Sequence, residues 1–154
     1  MIVYAPCMTN PTRAELIRLG MKATIGGELR QLRDRVHLSR NAQARLMEVT
    51  PDALRRWEEA EQGMNSDSAL RVGEWMWGAR KVIADLEANG VDLNELVPLS
   101  TASQHLSMSA DDVMEKCRTA ALRCEDLGVL GVYVYRSYIP SLEPRDEPAE
   151  EGAE

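Results

Sequence analysis

Residues 38–60 read LSRNAQARLMEVTPDALRRWEEA, and this stretch decides the fold. Two short helices that cross at a steep angle need a small residue in the first helix, an apolar residue in the turn and apolar residues along the second helix. Ala44 supplies the small residue and Val49 the turn residue, while Leu54 and Trp57 recur three residues apart on the second helix. The spacing therefore predicts a helix-turn-helix.

Both helices of this predicted motif carry a start signal. Ser39 and Thr50 are placed to cap the first and the second helix with their hydroxyl groups, and Pro51 occupies the first turn of the second helix. Ala42 and Leu46 give the first helix an apolar face that we expect to point inward.

The stretch from residue 38 to 58 resembles, without a gap, the helix-turn-helix of the Cro and phage-repressor family. That family's pattern reads roughly L-S-Q-x-x-L-A-x-x-L-G-V-S-x-x-x-I-x-x-W-E, and the positions shared by this chain are Leu38, Ser39, Ala44, Val49, Trp57 and Glu58, with Leu46 one position before the third leucine of the pattern. Upstream, the family's first helix is matched by Leu29, Leu32, Arg33 and Val36. With the helices after Gly63 counted, the resemblance covers residues from about 28 to about 86.

Three positions depart from the family pattern. Arg40 stands at the usual glutamine, Gln43 stands where leucine is common, and Glu48 replaces the turn glycine. Arginine reaches phosphates or guanine edges at least as well as glutamine. A left-handed residue other than glycine or asparagine costs roughly 1 kcal/mol, so we expect the turn at Glu48 to carry that cost.

The resemblance implies that the partner is double-stranded operator DNA and that the second helix of the motif reads base edges. The base-reading positions that it implies are Arg40, Pro51, Asp52, Ala53, Arg55 and Arg56, with Arg56 the first choice for a base edge. Asp52 could accept a hydrogen bond from a cytosine amine. The remaining implied DNA contacts, mainly to phosphates, are Arg30, Ser39, Asn41, Arg45 and Thr50. The resemblance also implies a buried ion pair between Arg33 and Glu58.

The charge distribution agrees with a DNA partner only in the amino-terminal part of the chain. The chain has a formal net charge of −7, but residues 1–56 carry ten Lys and Arg against five Asp and Glu, whereas residues 57–154 carry eight against twenty. Basic side chains near the motif would face phosphates, and the acidic remainder would weaken non-specific DNA binding. The alternative is that these arginines form an ordinary solvated face.

Composition excludes several other classes of function. The sequence shows neither a run of about 18 apolar residues nor a secretory leader, so a cytoplasmic protein is expected. Three cysteines without a C-x-x-C pair and two distant histidines disfavour zinc and a disulfide framework. Cys117 and Cys124 are interpreted as small apolar residues on one helix face. No nucleophile is paired with a histidine base and no glycine-rich loop opens a helix, so we expect neither an enzyme nor a cofactor.

Helix signals outside the motif fill most of the chain. Asn10 and Pro11 start a helix that Gly20 and the glycines after it are expected to interrupt. The three helices of the motif are predicted over residues 27–37, 39–47 and 50–62. Ser66 or Asp67 is then expected to cap a longer helix that ends at residues 89–90.

The residue spacing of the first motif recurs in residues 99–113, LSTASQHLSMSADDV. This stretch has a capping serine, a small Ala102, then Met108 and Ser109 as turn and cap. A second, weaker helix-turn-helix is predicted here, followed by a long helix through residue 124 that Gly128 closes. Residues 129–139 alternate apolar and aromatic side chains about Gly131, which is typical of a hairpin wing or a small sheet. A winged helix is the interpretation.

The charges of this second unit are compatible with more than one function. Its helix in the recognition position begins with Ala110, Asp111 and Asp112 and carries Glu115, and carboxylates there would face phosphates with the wrong sign. Arg118, Arg123 and Arg136 could still contact a DNA backbone. The alternatives are therefore a second DNA contact and a module for self-association or effector binding.

The sequence as a whole predicts a mainly α-helical protein. A helix-turn-helix domain is expected over residues 1–90, a second helix-turn-helix-like winged unit over 91–140 and a disordered acidic tail over 141–154. The resemblance implies a sequence-specific transcriptional regulator, a repressor of the phage-immunity or mobile-element type that occupies an operator. It would act as a homodimer through the second unit, or as a monomer that spans a long asymmetric site with both units. The alternative is a protein-interaction module, such as an antitoxin or a regulatory partner, that uses the motif as a scaffold.

Overall fold

The computed structural model describes residues 10–25 and 27–140 of the chain. As predicted, this part is mainly α-helical, and it adds a small three-stranded sheet. It forms two compact units: one contains the chain up to Leu93 together with Asp126–Gly131, and the other contains Asn94–Glu125 and the chain from Val132 onward. The predicted acidic tail and the apolar start of the chain lie outside the described residues.

The described residues of the first unit form five α-helices. They are α1 (Arg13–Ile25), α2 (Glu28–Arg35), α3 (Arg40–Met47), α4 (Pro51–Glu58) and α5 (Ser66–Ala88). Helix α4 was predicted to run on to residue 62, but it ends at Glu58 because Ala60 takes a left-handed conformation with φ of 59°. Helix α5 is capped by Asn65, whose side chain accepts from the Ser68 amide, and not by Ser66 or Asp67 as expected.

Two glycines let α1 and α5 cross with their backbones in contact. A Cβ added to Gly20 would lie 2.0 Å from the Ala69 carbonyl oxygen, and one added to Gly73 would lie 1.8 Å from the Leu16 carbonyl oxygen. The prediction that Gly20 interrupts the first helix is therefore wrong, because this glycine lies inside a continuous helix and serves the crossing.

The core of the first unit is formed by side chains from all five helices. The motif helices contribute the predicted Ala44, Leu54 and Trp57, and α5 presents buried side chains along most of its length because α1 covers it. The largest buried side chains of this core include Leu29, Val36, Leu54, Trp57, Val72, Trp75 and Met76. Trp75 also donates from Nε1 to the carbonyl oxygen of Val129, at 3.1 Å, within the same unit.

The second unit is built on a three-stranded sheet and two short helices. Strand β1 (Leu96–Pro98) precedes α6 (Leu99–Leu106) and α7 (Ala110–Arg118), and β2 (Cys124–Asp126) and β3 (Val132–Tyr135) follow, with strand order β1-β3-β2. β1 pairs antiparallel with β3, with Val97 opposite Val134. The predicted alternation about Gly131 accounts for β3, whereas β1 was not predicted. Short 3-10 helices occupy Leu93–Glu95 and Arg136–Tyr138, and a third, Gly128–Leu130, belongs to the first unit.

Two predictions about the second unit are wrong. Helix α7 ends at Arg118 instead of continuing to residue 124, because Ala120 is left-handed with φ of 67° and turns the chain. Cys117 and Cys124 therefore do not share a helix face. They form a disulfide whose Cα atoms are 5.7 Å apart, although the sequence disfavoured one.

No helix within residues 10–25 and 27–140 has the length and apolar character that a membrane span requires.

Candidate functional site

The connection between α3 and α4 is capped at each helix start. Ser39 Oγ accepts from the Ala42 amide at 3.0 Å, and Thr50 Oγ1 accepts from the Ala53 amide at 3.1 Å. Both hydroxyls occupy the positions predicted for them, where they satisfy amides that lack a partner within the helix. Pro51 lies in the first turn of α4, as predicted.

The turn between these helices depends on one left-handed residue, Glu48, which has φ of 61°. This agrees with the conformation expected at the position of the family's turn glycine. The Val49 amide donates to the Ala44 carbonyl oxygen at 3.0 Å, which closes the turn. Arg71 Nη1 donates to the Glu48 carbonyl oxygen at 2.8 Å, so a contact from α5 offsets part of the backbone cost.

The packing beneath the turn agrees with the sequence at most positions. Ala44 and Leu54 are fully buried and Trp57 is nearly so, and each was expected to face inward. Leu46 was also expected to face inward, but it is 38% exposed. The buried face of α3 is formed by Gln43, Ala44 and Met47 instead, since α3 is rotated relative to the predicted face.

A buried polar cluster joins α2, α3 and α4. Arg33 Nη1 donates to Glu58 Oε2 at 2.6 Å and to Gln43 Oε1 at 2.8 Å. The two charged side chains are only 7% and 3% exposed, so the expected contact between Arg33 and Glu58 is present and deeply buried. Arg40 Nε donates to Glu58 Oε1 at 3.1 Å, and Arg30 Nη2 lies 4.0 Å from the same oxygen. One carboxylate therefore orients an arginine at the start of α3.

The side chains on the outer face of α4 form a second polar network. Asp52 accepts from Arg55 Nη2 at 3.1 Å and lies 2.9 Å from Arg56 Nη2, so one carboxylate holds both guanidinium groups. Arg55 also contacts Glu59 and Glu61. The hydrogen bond that Arg55 donates to Asp52, followed by the charge of Glu61, raises the pKa of Arg55 above its ordinary value.

The sequence-predicted contact residues lie in α2, α3 and α4 and at the residues that cap the starts of α3 and α4. Only the ion pair of Arg33 and Glu58 is buried, as expected of a structural pair. The exposed members are Arg30, Ser39, Asn41, Arg45, Thr50, Pro51, Asp52 and Arg56, and the half-buried members are Arg40, Ala53 and Arg55.

Two features of these helices were not predicted from the sequence. Gln43 was treated only as a departure from a common leucine, yet it is fully buried and accepts from Arg33. The acidic partners on α4 were not considered, although the spacing of Asp52, Arg55, Arg56 and Glu59 by three and four residues is the signal for such pairs.

The connection between α6 and α7 has the same local conformation as that between α3 and α4. Ser107 is left-handed with φ of 54°, the Met108 amide donates to the Ser103 carbonyl oxygen at 3.1 Å, and Ser109 Oγ accepts from the Asp112 amide at 3.1 Å. The repeated spacing therefore predicted the turn correctly. The prediction that a serine caps the start of α6 is wrong, because Pro98 occupies the cap position and no side chain caps this helix.

Each candidate arginine of the second unit contacts another group of that unit. Asp111, Asp112 and Glu115 lie exposed on α7, as predicted. Arg118 pairs with Glu115. The guanidinium of Arg123 lies 4.2 Å from the ring centroid of Tyr135. The last candidate, Arg136, donates from Nε to the Asn94 carbonyl oxygen at 3.2 Å.

Comparison with protein-family models, with curated protein sequences and with solved structures finds no match to this chain. Within the part of the chain that the structure describes, no group of three or more His, Cys, Asp and Glu side chains could hold a metal ion.

Proposed function

We propose that this protein is a sequence-specific DNA-binding transcriptional regulator, a repressor that occupies an operator. The observation that carries the proposal is the pair α3 and α4: two capped eight-residue helices joined by a left-handed residue, packed over Ala44. This is the arrangement that a helix-turn-helix uses to present its second helix to the major groove. The resemblance to Cro and phage repressors suggests control of phage lysogeny or of a mobile element.

Helix α4 would read the bases in this proposal, and the surrounding surface would hold the phosphates. Arg30, Asn41 and Arg45 are exposed on the two preceding helices, where cations and amides favour phosphate oxygens. The helix starts at Ser39 and Thr50 add backbone amides and the positive end of the helix dipole.

The two carboxylates on this surface give the arginines defined starting positions. Asp52 bridges Arg55 and Arg56, and Glu58 anchors Arg40 through Nε, which leaves the two terminal nitrogens of Arg40 for a base or a phosphate. A guanidinium that is held before binding loses less side-chain entropy when it contacts guanine. Asp52 also disfavours non-specific phosphate contacts by like-charge repulsion.

Replacement of Arg56 by Ala tests the assignment of the base-reading helix. Loss of a guanine contact costs about 1–3 kcal/mol, which corresponds to about 5-fold to 150-fold weaker binding, and relaxes preference at one base position. The assay is a gel-shift titration on sites selected from random DNA. Arg13→Ala is the matched control, because Arg13 is an exposed arginine of the same unit at the start of α1. Equal affinity and equal base preference in the two variants would refute the assignment.

A second candidate function is a protein-interaction module, and the acidic residues exposed on α7 favour it for the second unit. The strand and helix order β1, α6, α7, β2, β3 is that of a winged helix, and the winged-helix interpretation of this unit stays a prediction. DNA binding that is absent, or that barely changes between low and moderate salt, would favour the protein-interaction function. The mass in solution and the footprint length distinguish a dimer on a palindrome from a monomer on an asymmetric site.

A further inference from the structure

The only two cysteines in the described residues are joined across the turn that follows α7. Cys117 lies in the last turn of α7 and Cys124 begins β2, and their sulfurs are bonded. Both side chains are half-buried, so a small thiol or the active site of a thiol protein can reach them.

The turn that the disulfide spans is also held by backbone hydrogen bonds and by the buried side chain of Leu122. Ala120 is left-handed, a conformation that costs an alanine roughly 1 kcal/mol. Two backbone hydrogen bonds close the turn, from Ala120 to the Cys117 carbonyl and from Leu122 to the Lys116 carbonyl. The crosslink therefore restrains a segment whose own backbone geometry is costly.

The core that this turn completes is small. Its buried side chains are Val97, Ala102, Val113, Leu122, Val134 and Ile139. Both cysteines pack against this cluster together with a few half-buried apolar side chains. A core of this size supplies little stability by itself, so one crosslink makes up a large part of the total.

We propose that Cys117 and Cys124 form a reversible thiol–disulfide pair that sets the stability of the second unit alone. In the reducing direction, a thiolate of the reductant attacks one sulfur and forms a mixed disulfide, and a second thiol of the reductant releases it. The protein's S–S bond breaks and gains two electrons and two protons, and the reductant's two sulfurs become joined. The first unit has no cysteine among its described residues, so the same reaction leaves it unchanged.

The expected size of the effect follows from the length of the closed loop. A crosslink across residues 117–124 removes unfolded-state entropy equivalent to about a 60-fold change in the unfolding equilibrium at 25 °C. Reduction should therefore speed amide hydrogen exchange in the second unit by about 60-fold wherever exchange requires that unit to unfold.

The test uses the full chain with Cys7→Ser, which removes the one cysteine outside the described residues. Hydrogen exchange is followed by mass spectrometry after incubation with oxidised glutathione or with dithiothreitol. We expect an intact mass lower by two hydrogen atoms in the oxidised sample, and faster exchange on reduction over 96–122 and 132–139 but not in α1 to α5. A chain that forms no crosslink in oxidised glutathione, or whose second unit exchanges equally in both samples, overturns the proposal.

A variant that also carries Cys117→Ser and Cys124→Ser is the matched control. Its exchange should be independent of the redox buffer and as fast in the second unit as that of the reduced protein. If the serine variant responds to dithiothreitol as the Cys7→Ser protein does, the effect does not come from this pair and the proposal fails. If the serine variant does not fold, the comparison between the two redox states of the Cys7→Ser protein decides the proposal by itself.

Discussion

Replacement of Glu58 by Ala should remove a large part of the free energy of unfolding of the first unit. Among the residues that the structure describes, Glu58 is the only carboxylate shown in contact with the buried guanidinium of Arg33, and the two side chains are 3% and 7% exposed. Removal of one partner of a buried ion pair leaves an uncompensated charge and costs about 3–5 kcal/mol. Gln43 would remain as the acceptor for Arg33, but a neutral amide does not replace the lost charge.

The assay is urea denaturation followed by tryptophan fluorescence, because all three tryptophans of the chain lie in the first unit. With a denaturant dependence of about 2 kcal/mol per M, the midpoint should fall by about 2 M urea. Glu58→Gln, which keeps an acceptor oxygen, should lose less stability than Glu58→Ala. The double variant Arg33→Met with Glu58→Leu should be more stable than Glu58→Ala. A loss below about 1 kcal/mol for Glu58→Ala would refute the inference that this pair is buried and structural.

Two further predictions concern packing and pH. Gly73→Ala places a methyl group against the Leu16 carbonyl oxygen, so the first unit should lose about 3 kcal/mol or more in urea denaturation. Gly63→Ala, where nothing lies within 4 Å of the added Cβ, should change stability by about 0.5 kcal/mol at most, and equal losses would contradict the close helix crossing. Burial raises the pKa of Tyr133, so the phenol stays protonated in the folded unit after the unfolded chain has ionised. Stability of the second unit should therefore fall as pH rises above about 10, as measured by hydrogen exchange in β1 and β3, and Tyr133→Phe should weaken that dependence without abolishing it, because burial also raises the pKa of Tyr135.

The first motif could be predicted in detail because its signals are local. The hydroxyl caps, the small residue and the turn all act within a few residues of one another, and each appears where the sequence placed it. The contact between Arg33 and Glu58 came from the family resemblance. Leu46 was assigned to the wrong face, although the family pattern aligned from Leu38 has its next leucines at positions 43 and 47, where the buried Gln43 and Met47 lie.

Features that depend on distant parts of the chain were missed. Gly20 was expected to break a helix, since its use in the crossing requires knowledge that Gly73 lies opposite. Strand β1 is three residues long and exists through its pairing with β3, which is remote in sequence. The disulfide was missed because a seven-residue spacing fits one helix face equally well, and only the left-handed Ala120 separates the two geometries.

Selection of bound sites from random double-stranded DNA tests most directly the proposal that α4 reads DNA sequence. The full chain and its Arg56→Ala variant would be used for selection in parallel at two salt concentrations. We expect one enriched motif for the unsubstituted chain, loss of preference at one position in the variant, and affinity that falls steeply with salt. Failure to enrich any motif, or the same motif at the same affinity for both proteins, would contradict the proposal.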